Sequence, residues 1–132
     1  MILQTSRIPD SILVVDDDAS IRSVLRELLE TEGYKVIEAS NGLAALSRLR
    51  DGYRPRAIVL DLMMPVMDGW DFRSDQLRDP ELRDIPVVVL TAAGFSQSTM
   101  RTQFGQIELV SKPLSPGDLL VALRRSSREL SQ

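Results

Sequence analysis

Residues 12–18 read ILVVDDD, a short apolar run that ends in three acids. A continuous run of leucine and β-branched residues is typical of a strand buried on both faces of a parallel sheet. The apolar residues that follow recur at the spacing i, i+3, i+4, i+7 and i+8: Ile21, Val24, Leu25, Leu28 and Leu29. This spacing predicts an amphipathic helix that ends before Gly33.

The same alternation of strand and helix follows four more times along the chain. Strands are predicted at 34–39, 57–60, 85–90 and 107–110, and helices after Asn41, at 70–78, at 96–104 and from Pro116 onward. Five such units predict an α/β fold, a doubly wound parallel sheet with helices on both faces. Ligands of such sheets bind beyond the carboxyl ends of the strands.

The composition indicates one globular domain and excludes several kinds of site. The chain has 132 residues, 43% of them hydrophobic, and a formal net charge of −3, which disfavours a dedicated nucleic-acid binder. It has no cysteine and no histidine, so disulfides, thiolate zinc sites, cysteine nucleophiles and Ser-His-Asp triads are excluded. Since neither a signal peptide nor a long apolar run is present, we expect a cytoplasmic protein without a membrane partner.

Polar residues stand at the carboxyl ends of four predicted strands. The first strand ends on Asp16 and Asp17, the third on Asp61, the fourth on Thr91 and the fifth near Lys112. Clustered carboxylates repel one another, and they are tolerated best around a hard cation such as Mg²⁺ or Mn²⁺. Together with an amine and a hydroxyl, they predict a phosphoryl-transfer site in which an aspartate can act as the nucleophile.

Four segments of the chain resemble the receiver domains of two-component response regulators. They are ILVVDD at 12–17, VLDLMMPVMDG at 59–69, VVLTA at 88–92 and SKPL at 111–114. The resemblance covers residues 11–128 and implies a flavodoxin-like (βα)₅ fold with the strand order 2-1-3-4-5. It leaves an N-terminal extension at 1–10 and a C-terminal tail at 129–132.

The resemblance implies a role for each acid at the strand ends. Asp61 would accept a phosphoryl group from a phosphohistidine on a sensor histidine kinase or a histidine phosphotransfer protein. Mg²⁺ would be bound by Asp61, by Asp17 directly, by Asp16 largely through water and by the backbone carbonyl of Met63. Mn²⁺ is the alternative ion.

The resemblance also implies how the phosphorylated state is sensed. Thr91 and Lys112 would bind phosphoryl oxygens, and Pro113 would follow a cis peptide bond. Leu109 departs from the aromatic residue that the family commonly has at this position, so an aromatic read-out is not implied. The surface from the fourth strand to the fifth helix would then bind an unidentified downstream protein or a second copy of the chain, with no direct contact to nucleic acid.

The predicted function is a stand-alone signalling switch that catalyses only its own phosphorylation and dephosphorylation and is not a turnover enzyme. Two alternatives stay open. The pattern of Asp16, Asp18 and Ser20 mimics the nucleophile motif of haloacid-type phosphohydrolases, although only Asp118 and Glu129 follow the lysine as further acids. The other alternative is an interaction module that keeps the fold without being phosphorylated.

Overall fold

Five strands and five helices alternate in the computed structural model, which describes residues 10–91, 97–112 and 115–131. The strands are β1 (Ser11–Val15), β2 (Lys35–Ala39), β3 (Ala57–Asp61), β4 (Val87–Thr91) and β5 (Glu108–Ser111). The helices are α1 (Ala19–Thr31), α2 (Gly42–Arg50), α3 (Gly69–Arg78), α4 (Gln97–Phe104) and α5 (Pro116–Ser131). The predicted alternation is confirmed.

Most predicted boundaries agree with the observed ones to within one residue, and two differ by more. Strand β4 begins at Val87 rather than at residue 85. Pro86 has no N–H to donate to a ladder and contributes only its carbonyl, which accepts from the N–H of Ile58 at 2.9 Å. Helix α5 continues to Ser131, through most of the stretch predicted as a tail. Of the predicted extension at 1–10, only Asp10 lies within the described residues.

The sheet is parallel and has the order β2-β1-β3-β4-β5, as the resemblance implies. Strands β2 and β5 form its edges, and β1 and β3 lie side by side where the direction of winding reverses. Val15 pairs with Leu60 at the end of β1, and Asp61 pairs with Leu90 at the end of β3. This register brings the carboxyl ends of the central strands to one edge, where a doubly wound sheet binds its ligands.

Apolar clusters cover both faces of the sheet. Alternate side chains of β1 point to opposite faces, with Leu13 and Val15 in one cluster and Ile12 and Val14 in the other. Helices α2 and α3 close the first cluster with Leu46, Leu49 and Phe72. Helices α1 and α5 close the second with Leu25, Leu29, Leu119 and Leu123. Burial on both faces explains why β1, β3 and β4 have continuous apolar sequences, unlike the edge strands β2 and β5.

The apolar stripe of helix α1 is narrower than its spacing predicts. Val24 is 56% exposed, whereas Leu25 and Leu29 are fully buried, because only one narrow side of the helix faces the sheet. Within the described parts of the chain, no helix is both long and apolar enough to cross a membrane.

Candidate functional site

The acidic turn after β1 is fixed by hydrogen bonds on both sides. The N–H of Asp16 donates to the carbonyl of Ala39 at the end of β2, at 3.1 Å. Asp18 caps helix α1, since its Oδ1 accepts from the N–H groups of Ser20 at 2.8 Å and Ile21 at 3.3 Å. Between them, Asp16 is fully buried and Asp17 is exposed.

Three of the predicted site residues converge on one point at this edge. One carboxylate oxygen each from Asp16, Asp17 and Asp61 lies within 4.8 Å of the others. Asp61 ends β3 and is only 4% exposed. The Nζ of Lys112 lies 3.3 Å from Asp61 Oδ1 and 3.7 Å from Asp16 Oδ2, so the structure brings the predicted lysine to the same cluster.

The pKa of Asp16 is affected first by its burial and then by the groups beside it. Burial raises the pKa of Asp16, and the nearby carboxylates of Asp61 and Asp17 raise it further, against the lowering effects of the Asp18 N–H and of Lys112. Its Oδ2 is buried and makes no hydrogen bond to any residue that the structure describes. Buried polar atoms normally have a partner, and carboxylate oxygens suit Mg²⁺ or Mn²⁺. The residues present therefore fit a hard divalent cation.

The loop from β3 to α3 packs closely against Asp61. The N–H of Met63 donates to Asp61 Oδ1 at 3.4 Å, while the Met63 side chain is 74% exposed. A Cβ at Gly69 would lie 2.7 Å from the backbone oxygen of Asp61, so this position accepts only glycine without a shift. Val66, in the same loop, has a φ of 68°, which is unfavourable for a β-branched residue. The Met63 carbonyl belongs to this loop and stays a predicted ligand.

Thr91 and Lys112 are joined through the backbone. Thr91 ends β4, is 3% exposed and pairs with Ser111, and its carbonyl accepts from the N–H of Lys112 at 2.7 Å. Leu109 pairs with Val89 and packs, partly buried, against the core. The predicted cis bond before Pro113 lies outside the described residues.

One side chain that the sequence analysis did not single out touches the acidic turn. Arg22 donates from Nη1 to the carbonyl of Asp16 at 2.7 Å and from Nε to Glu38 at 2.9 Å. Hydrogen bonds from Arg26 and from Arg22 lower the pKa of Glu38, against its partial burial. The only sequence signal for Arg22 is its place in the first turn of the helix that follows the acids. By its spacing alone, this position is predicted to face solvent.

Comparison with known proteins gives a consistent result. The sequence matches the family model for the response regulator receiver domain over residues 12–124. It is 40% identical over 116 residues to a probable transcriptional regulator ycf27 of Porphyra purpurea, covering 87% of this chain and 46% of that protein. It is 36% identical over 121 residues to the phosphate regulon transcriptional regulatory protein PhoB of Escherichia coli, covering 91% and 52%.

The solved structures agree with the sequence relatives. The chemotaxis protein CheY4 of Vibrio cholerae superposes with a TM-score of 0.81 at 29% identity, covering 90% of this chain and 99% of that one. The chain spans about half the length of the curated regulators that it matches.

Proposed function

The chain belongs to the response regulator receiver domain family of two-component signalling, and we propose that it is a switch phosphorylated on Asp61 in the presence of Mg²⁺. The observation that supports the proposal is the position of the Asp61 carboxylate. It is nearly buried, it shares an oxygen-rich site with Asp16 and Asp17, and it contacts the amine of Lys112. A carboxylate nucleophile, a cation site and an amine beside them are what phosphoryl transfer to a carboxylate requires.

In the proposed reaction an Asp61 oxygen attacks the phosphorus of a phosphohistidine. A P–O bond forms, the P–N bond breaks, and its electron pair leaves with the imidazole. The 132 residues contain no histidine, so the phosphohistidine has to come from outside them, on a kinase or a histidine phosphotransfer protein. Bound Mg²⁺ would supply positive charge to the phosphoryl oxygens.

The chain's own residues prepare the carboxylate for this step. Lys112 lies 3.3 Å from Asp61 Oδ1 and offers its ammonium to an incoming phosphoryl oxygen. Asp16 and Asp17 would hold the cation together with Asp61, with the Met63 carbonyl as the predicted fourth protein ligand. Because Asp61 is only 4% exposed, bulk water has little access to the carboxylate before transfer.

The phosphoryl group would be sensed through Thr91 and Lys112. Both would bind phosphoryl oxygens, and the Thr91 carbonyl is already bonded to the Lys112 N–H. A movement of Thr91 toward Asp61 is therefore transmitted to the end of β5. The surface formed by β4, β5 and α5 would change and bind a downstream protein or a second copy of the chain, in the cytoplasm.

The test is labelling by a small phosphodonor. Wild-type protein incubated with acetyl phosphate and MgCl₂ is expected to gain one alkali-labile phosphoryl group by intact mass, and Asp61→Asn is expected to gain none. Asp68→Asn is the matched control, because Asp68 caps α3 through the N–H of Asp71 and asparagine caps equally well. Labelling that persists in Asp61→Asn, or that fails in wild type, contradicts the proposal.

The hydrolase alternative is disfavoured by the position of one acid. In the motif of haloacid-type enzymes Asp18 would act as the second acid, but here its Oδ1 is occupied by the first N–H groups of α1. Steady turnover of a phosphomonoester that is lost in Asp16→Asn and kept in Asp61→Asn would favour the hydrolase. An interaction module without phosphorylation would show no labelling at all.

A further inference from the structure

Hydrogen bonds that lead to the end of β2 hold both the N–H and the carbonyl of Asp16. The N–H of Asp16 donates to the carbonyl of Ala39 at 3.1 Å. The carbonyl of Asp16 accepts from Arg22 Nη1 at 2.7 Å, and Arg22 Nε is bonded to Glu38 Oε1 at 2.9 Å. Two consecutive residues of β2 thus anchor the acidic turn, one directly and one through Arg22.

Arg22 is itself held in one orientation. Its side chain is only 17% exposed, and its backbone N–H donates to the Asp18 carbonyl at 3.0 Å in the first turn of α1. The second oxygen of Glu38 accepts from Arg26 Nε at 2.6 Å, so this carboxylate is fixed between two arginines. A planar guanidinium that bonds through two nitrogens transmits this fixation to the Asp16 carbonyl.

We propose that Arg22 is a positioning residue of the divalent cation site and sets the affinity of the site for Mg²⁺. The inference rests on the proposed function, since it takes the cation to bind among Asp16, Asp17 and Asp61. The peptide unit is planar, so the Asp16 carbonyl and the Cα of Asp17 lie in one plane. By holding that carbonyl, Arg22 fixes the position of the Asp17 Cα. It thereby keeps an Asp17 carboxylate oxygen within 4.8 Å of the oxygens of Asp16 and Asp61.

The contact pattern assigns this effect to geometry rather than to charge. Arg22 faces Glu38, which balances its charge, and it meets Asp16 at the backbone carbonyl rather than at the carboxylate. The amine that does contact the carboxylates is Lys112. Arg22→Lys therefore keeps the positive charge and removes the two-nitrogen fork, because one ammonium cannot reproduce both bonds in the same plane.

The experiment compares Arg22→Lys with Arg26→Lys. Arg26 is the matched control, since it bonds to the other oxygen of the same Glu38 and lies one turn further along α1. The dissociation constant for Mg²⁺ is measured by titrating MgCl₂ and following emission of Trp70, the single tryptophan, and separately the unfolding midpoint. Midpoints without Mg²⁺ report whether the two variants lose similar stability.

Arg22→Lys is expected to raise the dissociation constant for Mg²⁺ about tenfold, the usual effect of removing a group that orients a metal ligand. Arg26→Lys is expected to stay within about twofold of wild type, since the fork of Arg22 is intact. At saturating MgCl₂ the labelling rate of Arg22→Lys by acetyl phosphate should return to that of wild type, which a general folding defect would not allow.

Two outcomes overturn the inference and are distinct from a failure of the proposed function. Equal dissociation constants for the two variants, or tighter binding by Arg22→Lys, would show that Arg22 does not position the site. In either case wild type would still be labelled on Asp61. If wild type neither responds to MgCl₂ nor accepts a phosphoryl group, the proposed function fails first.

Discussion

Replacing Asp16 with asparagine is expected to make the protein more stable in the absence of divalent cations. Asp16 is fully buried, and its Oδ2 makes no hydrogen bond to a described residue. Because burial raises the pKa of Asp16, the folded protein holds that proton more tightly than the unfolded chain. Its ionisation therefore costs stability as pH rises through the folded pKa. Asparagine keeps an oxygen that can accept from the N–H of Asp18, the bond seen at 2.9 Å, and removes the charge.

The distances show which effect decides the magnitude. With an effective dielectric constant of about 20, the Asp61 carboxylate, no more than 4.8 Å away, costs at least about 3.5 kcal/mol, and Lys112 at 3.7 Å returns about 4.5 kcal/mol. Asp17 is exposed to water and adds only about 1 kcal/mol. The repulsion from Asp61 and Asp17 and the attraction to Lys112 nearly cancel. The energy that decides the effect is therefore the cost of burying a carboxylate with an unpartnered oxygen, about 2 kcal/mol. We expect Asp16→Asn to raise the free energy of unfolding by that amount and Tm by about 8 °C.

The assay is urea and thermal unfolding at neutral pH, with EDTA and then with MgCl₂. Wild type should gain about 1.4 kcal/mol when Mg²⁺ stands at ten times its dissociation constant, and Asp16→Asn should gain much less. Asp18→Asn is the control, since it removes a charge two residues away and keeps the helix cap. The advantage of Asp16→Asn should shrink as pH falls through the folded pKa of Asp16. A less stable Asp16→Asn, or an undiminished response to Mg²⁺, would refute this reasoning.

Three further outcomes can be checked by the same unfolding measurements. Gly69→Ala should lower the free energy of unfolding by about 2 kcal/mol, because its Cβ would lie 2.7 Å from a backbone oxygen of β3. Gly117→Ala, whose Cβ would have nothing within 4 Å, should raise the free energy of unfolding by about 0.5 kcal/mol. Val66→Gly should stabilise by about 0.5 kcal/mol, since relief of the positive φ exceeds the added freedom of the unfolded chain and the 77% exposed side chain packs little. The lowered pKa of Glu38 means that its ion pairs stabilise the protein above about pH 4.5 and are lost as pH falls through the folded pKa. Glu38→Gln should therefore lose less stability than wild type on acidification, and a parallel loss in both proteins would contradict this.

The order of elements and the residues at the strand ends were predictable because each depends on a local pattern. A β-branched run such as 12–15 predicts a buried strand without knowledge of its neighbours, and Asp61 directly follows another such run. Topology then explains why residues 44 positions apart, Asp17 and Asp61, share a site.

The contacts of Arg22 and the backbone of Val66 could not be predicted in this way. Arg22 meets Glu38, sixteen positions away on another element, and the pairing depends on how α1 lies against β2. The φ of Val66 belongs to a three-residue turn closed by the Met67 N–H, which donates to the Pro65 carbonyl at 2.7 Å, rather than to the preference of valine. Both features follow from tertiary packing, which overrides the local pattern.

The acids and the lysine at this edge of the sheet follow strands that differ in how many neighbours they are hydrogen-bonded to. Asp16 and Asp61 are carried by the interior strands β1 and β3, each hydrogen-bonded to two neighbours, whereas Lys112 follows β5, a four-residue strand at the rim with a single neighbour. Rim strands detach at a lower free energy than interior ones. We therefore expect a local opening of β5 to move Lys112 away from the pocket while Asp16 and Asp61 keep their positions.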